Sequence, residues 1–518
     1  MKIGNQSHFA NVPSADIQRS SFDRSNGLKT TFDSGYLVPV FCDEVLPGDT
    51  HELSMAAFCR LATPIKPFFD NLYLESFFFF VPNRLIWANW EKFCGEQVNP
   101  GDSTDYLMPV ISDFAPASQT IFDYFGLPAG QALTVSGCIS LPFRAYNLIY
   151  NEWFRDENLQ NSVATPVTDG PDSSSDFALL RRGKRKDYFT SALPWPQKGP
   201  AVTLPLGTVA YGTQIERFNG GTWNTPSLIE IRGSGDPQGA GDLRIASGGF
   251  ASPQNGRVIV DLATATAATI NSLREAFQLQ RLFERDARGG TRYTEILLSH
   301  FRVKSPDARL QRPEYLGGGV SMVNVNPIAQ TSSATAQPTP QGNLAAMGTV
   351  SVRSHSFRQS FVEHGYVIGL VSVRQDYTYQ RRLDRMWSRR TRFDHYWPAL
   401  AHLGEQAVLN KEIYYDPADS LNDSVFGYQE RFAEYRYKPS MITGLMRSGV
   451  SGSLDVWHLA QNFASRPTLS STFIVENPPI DRVIAVPSEP DFLGDFHFKL
   501  KSTRPMPVYS VPGLIDHF

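Results

Sequence analysis

Positive charge in this chain is concentrated in two places. Arg181–Gly199 reads RRGKRKDYFTSALPWPQKG, so Arg181, Arg182, Lys184, Arg185 and Lys186 stand beside Tyr188, Phe189 and Trp195. Pro194 and Pro196 keep this run out of a regular helix. It reads as a basic loop whose rings need an apolar surface to pack on. The second cluster is Arg381–Arg392, RRLDRMWSRRTR, with six arginines in twelve positions. Wound as a helix, it would align Arg381, Arg385, Arg389 and Arg392 in one stripe, with Trp387 projecting elsewhere. Cations interleaved with rings can grip the phosphates and stack the bases of single-stranded DNA. The same side chains could instead join subunits through ion pairs with Asp376, Asp384, Asp394 and acidic patches on neighbours. Both readings are open for both clusters.

Bulk composition excludes a globally basic nucleic-acid binder, because the net charge is −3. The cations are nevertheless unusual in kind, with 36 Arg against 12 Lys. Arginine is favoured where charge is held in bidentate pairs or against phosphate, and interfaces are rich in it and poor in lysine. Only 19% of residues are charged, below the usual quarter, which suits a surface largely covered by neighbours.

Residue spacing points to no other chemistry. The sequence has no Walker loop, GxSxG, HExxH or DxDxDG calcium loop. Gly317–Gly319 follows no clear strand and opens no helix, and His300, His395 and His402 lack carboxylate or cysteine partners at ligand spacing. No nucleophile, base and orienter assemble, so neither a catalytic residue, a metal nor a cofactor is expected. Cys42, Cys59, Cys94 and Cys138 form no CxxC pair and read as reduced thiols. The first thirty residues show no signal-peptide pattern, and no segment approaches the roughly 18 apolar residues of a membrane span.

The elements that must position the clusters are mainly strands. YLVPVF, LYLESFFFFV (72–81), YVIGLVSVRQDYTY (366–379), STFIVEN (471–477) and DFHFKLKS (495–502) all read as sheet. In 72–81, Leu72, Leu74, Phe78 and Phe80 share one face and Tyr73, Phe77, Phe79 and Val81 the other, so the strand is buried between two layers. Helices are expected from Pro142 through 160, over 271–288 up to Gly289–Gly290, and briefly through Tyr293–Phe301. Residues 1–30 are polar, with isolated apolar side chains, and read as an extended arm ordered by another surface. Residues 200–260 hold eleven glycines and short strand-like pieces at 227–231 and 257–262; residues 315–352 carry no charge and are expected at a subunit contact.

Several blocks resemble the major capsid proteins of Microviridae, small single-stranded DNA phages, in the gokushovirus branch. They are the 185–199 segment, LPFRAYNLIYNEWFRDENLQ (141–160), SPDARLQRPEYLGGG (305–319), RRLDRMWSRRTRFDHYWPALAHLGEQAVLNKEIY (381–414) and FGYQERFAEYRYKPS (426–440). The resemblance weakens over 200–260 and near 330–345. It implies an eight-stranded antiparallel jelly roll with long loops that carry a few helices. Residues 31–199 and 261–518 would form that domain, 1–30 the arm and 200–260 a surface insertion loop.

The resemblance further implies a T=1 icosahedral shell of about sixty copies, assembled in the host bacterial cytoplasm and found in the virion. Its implied partners are a circular single-stranded DNA genome, a small basic internal DNA-binding protein, an internal scaffolding protein and a host cell-surface receptor. The 200–260 loop would rise as threefold protrusions for host attachment, with Trp223, Asn224, Arg232, Asp236 and Arg244 as candidate contacts. Such a shell carries roughly −180 in charge and cannot neutralise a genome with one negative charge per nucleotide, so DNA contact must be local. The competing reading is a secreted or surface β-rich carbohydrate-binding protein, a common use of jelly rolls with exposed Trp and Tyr.

Overall fold

The computed structural model describes residues 18–112, 114–133, 138–202, 214–219, 222–224, 229–231, 243–245, 256–259, 270–331 and 341–509. The chain divides into two compact units, one of residues 197–288 and one of the residues on either side. In chain order the first strands are β1 (Ser20–Asp23), β2 (Asn26–Phe32), β3 (Val38–Val45), β4 (Thr50–Leu61) and β5 (Leu72–Pro82). The smaller unit contributes β6 (Gln214–Asn219), β7 (Thr222–Asn224), β8 (Ile229–Ile231), β9 (Leu243–Ile245) and β10 (Gly256–Ile259), then the helix Ile270–Gly289. The larger unit continues with β11 (Glu314–Met322), β12 (Asn324–Ala329), β13 (Leu344–Ser360), β14 (Gly365–Gln375), β15 (Glu405–Leu409), β16 (Val425–Glu430) and β17 (Phe492–Arg504). The molecule is thus mainly β with antiparallel sheets and some helices.

Two sheets organise the larger unit. The first runs β1-β17-β4-β13-β12, with β2 also on β17, and the second runs β11-β5-β14-β3. Alternation explains the first: in β17, Phe492, Phe496, Phe498 and Leu500 are buried while Leu493, Asp495, His497, Lys499 and Lys501 are exposed. Those inward rings meet Phe32, Leu53 and Met55 of the same sheet and Leu72, Leu74, Phe78, Phe80, Val367 and Val371 of the other in one inter-sheet core.

The second sheet is apolar on both faces. Every residue of β14 is buried. In β5, Leu72, Leu74, Phe78 and Phe80 enter the inter-sheet core, whereas Phe79 and Val81 enter a separate cluster behind the sheet. That cluster includes Trp87, Ile368, Leu370 and, from the helix Leu141–Ile149, Leu141, Phe143, Tyr146 and Ile149. Arg144 fixes this helix in place. Its guanidinium donates to both Asp172 oxygens at 2.6 and 2.7 Å and to the carbonyls of Ile86 and Thr168 at 3.0 and 2.9 Å.

Several expectations give way to local structure. From Ser20 onward, the stretch read as an arm lies in β1 and β2, paired with β17 of the same chain; residues 1–17 lie outside the described residues. STFIVEN is not a strand: Ser471–Ile474 is a helical turn, capped by the Ser470 hydroxyl accepting from the Phe473 N–H. The 142–160 helix ends sooner, continuing from Ile149 as a π-helical turn, Tyr150–Phe154.

Candidate nucleic-acid and assembly surfaces

The basic run 181–186 is built into the larger unit. Arg181 bridges to Tyr36 and Gly183 to Val475 in short antiparallel contacts. Gly35 makes this close approach possible: its φ is +81°, and a Cβ there would lie 2.3 Å from the Glu476 carbonyl oxygen. Arg181 stacks over the Tyr36 ring at 4.0 Å and donates to Asn477 Oδ1 at 2.8 Å. Arg182 and Arg374 both pair with Glu75; although burial alone would raise that carboxyl, the two guanidiniums hold it below its ordinary value.

Lys184 is buried, with its ammonium 4.4 Å from the centre of the Phe473 ring and 4.7 Å from that of Tyr377. Burial pushes Lys184 down to about 8, against the opposing pull of Glu476 and Asp187. Glu476, also buried, accepts from the Gln375 N–H at 3.1 Å and the Tyr377 hydroxyl at 2.8 Å, and its second oxygen has no hydrogen-bond partner among the described residues. Burial lifts its carboxyl to about 7 despite those bonds and the nearby Arg182 and Lys184. Arg185 and Lys186 are the more exposed members, yet Arg185 pairs with Asp376 at 3.0 Å and Lys186 with Asp156.

The 381–392 run does not form the helical stripe. It makes two short 3-10 turns, Arg385–Ser388 and Arg392–Asp394. Local capping wins over helix: Asp384 accepts from the Met386 N–H, and Asp394 from the N–H groups of Arg390 and Thr391. Those backbone bonds hold the Asp394 carboxyl down to about 2. Arg385 pairs with Glu412 at 2.9 Å and Arg389 with Glu434 at 3.1 Å. Arg381 lies over the Tyr414 ring at 5.1 Å and Arg392 over Trp397 at 4.9 Å. Glu412 also accepts from the Tyr188 hydroxyl at 2.9 Å, so the two basic runs meet on one carboxylate. Beside that meeting point lies a groove of about 340 Å³, lined by Arg185, Lys186, Tyr188, Tyr377, Tyr437 and Lys438 among others.

The uncharged stretch forms edge structure. It covers most of β11, an edge of the second sheet, then β12, an edge of the first, and the start of β13. Val320, Met322 and Ile328 are exposed along it. Of the attachment candidates, Trp223 and Asn224 lie in β7 and Arg244 in β9; Arg232 and Asp236 lie outside the described residues. Among the described residues, no group of His, Cys, Asp and Glu is placed to hold a metal ion.

Comparison with known proteins gives these surfaces their context. The family described as "Capsid protein (F protein)" matches residues 10–514. The chain is 49% identical to capsid protein VP1 of Bdellovibrio phage phiMH2K, covering all of both chains. It is 47% identical to capsid protein VP1 of Chlamydia phage 1, with 98% of each chain covered, and 37% identical to that of Spiroplasma virus 4, with 96% of each covered. The resemblance carried by the sequence blocks is thereby borne out. The chain belongs to the F-protein family of phage capsid proteins, of the gokushovirus type within Microviridae, and is a structural component of the virion.

Proposed function

We propose that this chain is the major subunit of a T=1 icosahedral shell in which about sixty copies close around a circular single-stranded DNA genome. The observation that carries the reading is full-length kinship to capsid proteins VP1. The role is structural, not enzymatic. An eight-stranded jelly roll is supported by the order of strands, β2-β17-β4-β13 facing β3-β14-β5-β11. Strands successive in this set occupy opposite sheets, except β5 and β11, which pair with each other.

Within this shell the genome is touched locally. Arg182, Arg385 and Arg389 are engaged with carboxylates of their own chain and Lys184 is buried. Arg185, Lys186, Arg381 and Arg392 are more exposed, the first two while paired with Asp376 and Asp156, and are the DNA-facing members expected of those two runs. Bulk neutralisation falls to cations and a small basic internal protein, and closure is aided by an internal scaffolding protein. The glycine-rich 200–260 segment supplies the protrusion that meets a host receptor.

The test is expression of the chain alone and with its phage neighbours, followed by sedimentation and negative-stain imaging. Closed particles of uniform diameter are expected, and deleting 200–260 should remove surface knobs without preventing closure. A stable monomer under every condition, co-expression included, would overturn the shell reading.

A further inference from the structure

The first sheet has one face in the core and, among the described residues, one exposed face. Its register sets the outward side chains of β2, β17, β4 and β13 in rows. Lys29, Asp495, Phe58 and Ser351 form one row; Lys499, Ser54 and Ser356 another; Lys501, Glu52 and Arg358 a third. Arg60 stands opposite Leu493, and Arg353 occupies the irregularity between Val352 and His355. Six cations (Lys29, Arg60, Arg353, Arg358, Lys499, Lys501) therefore share this face with three carboxylates (Asp23, Glu52, Asp495), a local excess of +3 on a chain whose total is −3.

Their state differs from that of the basic runs. Lys29 reaches Asp495 at 3.4 Å, whereas Arg60, Arg353, Arg358, Lys499 and Lys501 have no ion-pair partner among the described residues. Between them lie small side chains, Gly27, Ser54, Ala56, Ser351 and Ser356, which leave the surface flat. Phe58 stands in this surface, 55% exposed. Residues two apart on a strand repeat every 6.8 Å or so and neighbouring strands lie about 4.8 Å apart, so Lys499 and Lys501 are neighbours on β17 and Glu52 stands between Lys501 and Arg358. Protein interfaces are poor in lysine, yet three of the chain's twelve lysines lie here. A set of unpaired cations around an exposed ring is complementary to a polyanion that also carries flat rings.

We infer that the outer face of the β2-β17-β4-β13 sheet is the main genome-contacting surface, with phosphates of single-stranded DNA along Arg353, Arg358, Lys499 and Lys501 and a base stacked on Phe58. This rests on the reading that the shell encloses single-stranded DNA. It shifts most of the DNA-binding surface from the two arginine-rich runs to a face that no sequence cluster marks, since its cations come from four separate strands.

The experiment measures binding of a short fluorescent oligothymidylate to the full-length subunit by anisotropy across a salt series, and the DNA content of closed particles. The variant with Arg353→Gln, Arg358→Gln, Lys499→Gln and Lys501→Gln should keep its unfolding midpoint and close normally. It should bind at least about 30-fold more weakly, with a salt slope shallower by about 0.7 for each phosphate no longer neutralised. Phe58→Ala should weaken binding about five-fold or more with the slope unchanged. A control that removes two cations elsewhere, Lys304→Gln with Arg309→Gln, should bind like the wild type.

A folded sheet variant that binds as the wild type does would overturn the inference. So would one that folds but no longer closes particles, because the face would then join copies of the subunit. Wild-type particles that close while excluding DNA, from a subunit that ignores the oligonucleotide, would overturn the enclosed-genome reading itself.

Discussion

The two sheets of the larger unit share one core and differ on their backs. Behind β5 and β14 lies a second apolar layer, made by the helix Leu141–Ile149 and its neighbours. Behind β17 and β4 the described residues provide no such layer. The difference governs sequence: β14 must be apolar on both sides, whereas β17 alternates strictly. It also governs charge. Near the covered sheet, Arg144, Arg182 and Arg374 are each bound to a carboxylate within the chain, as low dielectric surroundings require. On the exposed sheet face, solvent carries that burden, and five of the six cations have no ion-pair partner among the described residues and are available to something outside the subunit.

Substitutions can break this contrast. The largest effect is expected from Arg144→Ala, which leaves Asp172 buried without its partner and should cost about 3–5 kcal/mol. It would appear as a lowered unfolding midpoint or as loss of soluble subunit; a midpoint at the wild-type value would show that the covering layer is not held by this pair. Phe79→Ala, on the covered face of β5, should cost about 3–4 kcal/mol, measured by chemical denaturation.

Glu476→Gln sharpens the comparison through pH. The folded carboxyl sits at about 7, above an unfolded value near 4.3. The native state therefore binds more protons between those values, and this group's contribution to stability falls as pH rises through that window. Denaturation measured from about pH 4 to 8 should show wild-type stability declining relative to the variant. Parallel curves would refute the assignment.

The exposed face should respond least. Phe58→Ser should stay within about 0.5 kcal/mol, and a loss equal to that of Phe79→Ala would erase the distinction between the faces. Lys29→Ala, breaking an exposed pair, should change stability by less than about 0.5 kcal/mol in the same assay.

What could be read in advance follows the range of the forces involved. The two-faced pattern of LYLESFFFFV depends only on residue parity, and β5 splits its side chains between two clusters as that parity requires. β4 lies outside the strands read from the sequence, although His51, Leu53, Met55, Ala57, Cys59 and Leu61 alternate through it and are buried. The 471–477 segment misleads because a single capping hydroxyl, Ser470, turns an apolar run into a helical turn. The fate of the arginines was legible only in part: the aspartates read as partners take some of them, Arg382 on Asp384 and Arg374 on Asp376, but not the rest. Their partners lie far along the chain: Glu75 for Arg182, Glu412 for Arg385 and Glu434 for Arg389. A cluster of cations announces charge but not whether the fold will consume it, and the exposed set is hidden because each strand contributes only one or two of its members.

The position of β17 has a consequence for how the subunit comes into being. It is the last described strand, yet it sits between β2 and β4, and Phe492 pairs with both Phe32 and Leu61. A ribosome delivers this strand after every other described strand. Until it arrives, β1 and β2 have no sheet to join, one edge of β4 is open and the inter-sheet core lacks Phe492, Phe496, Phe498 and Leu500, a state prone to wrong association. A chain cut short before Phe492 therefore lacks the strand that ties β2 to β4, and its earliest and latest segments depend on each other for a place in the sheet.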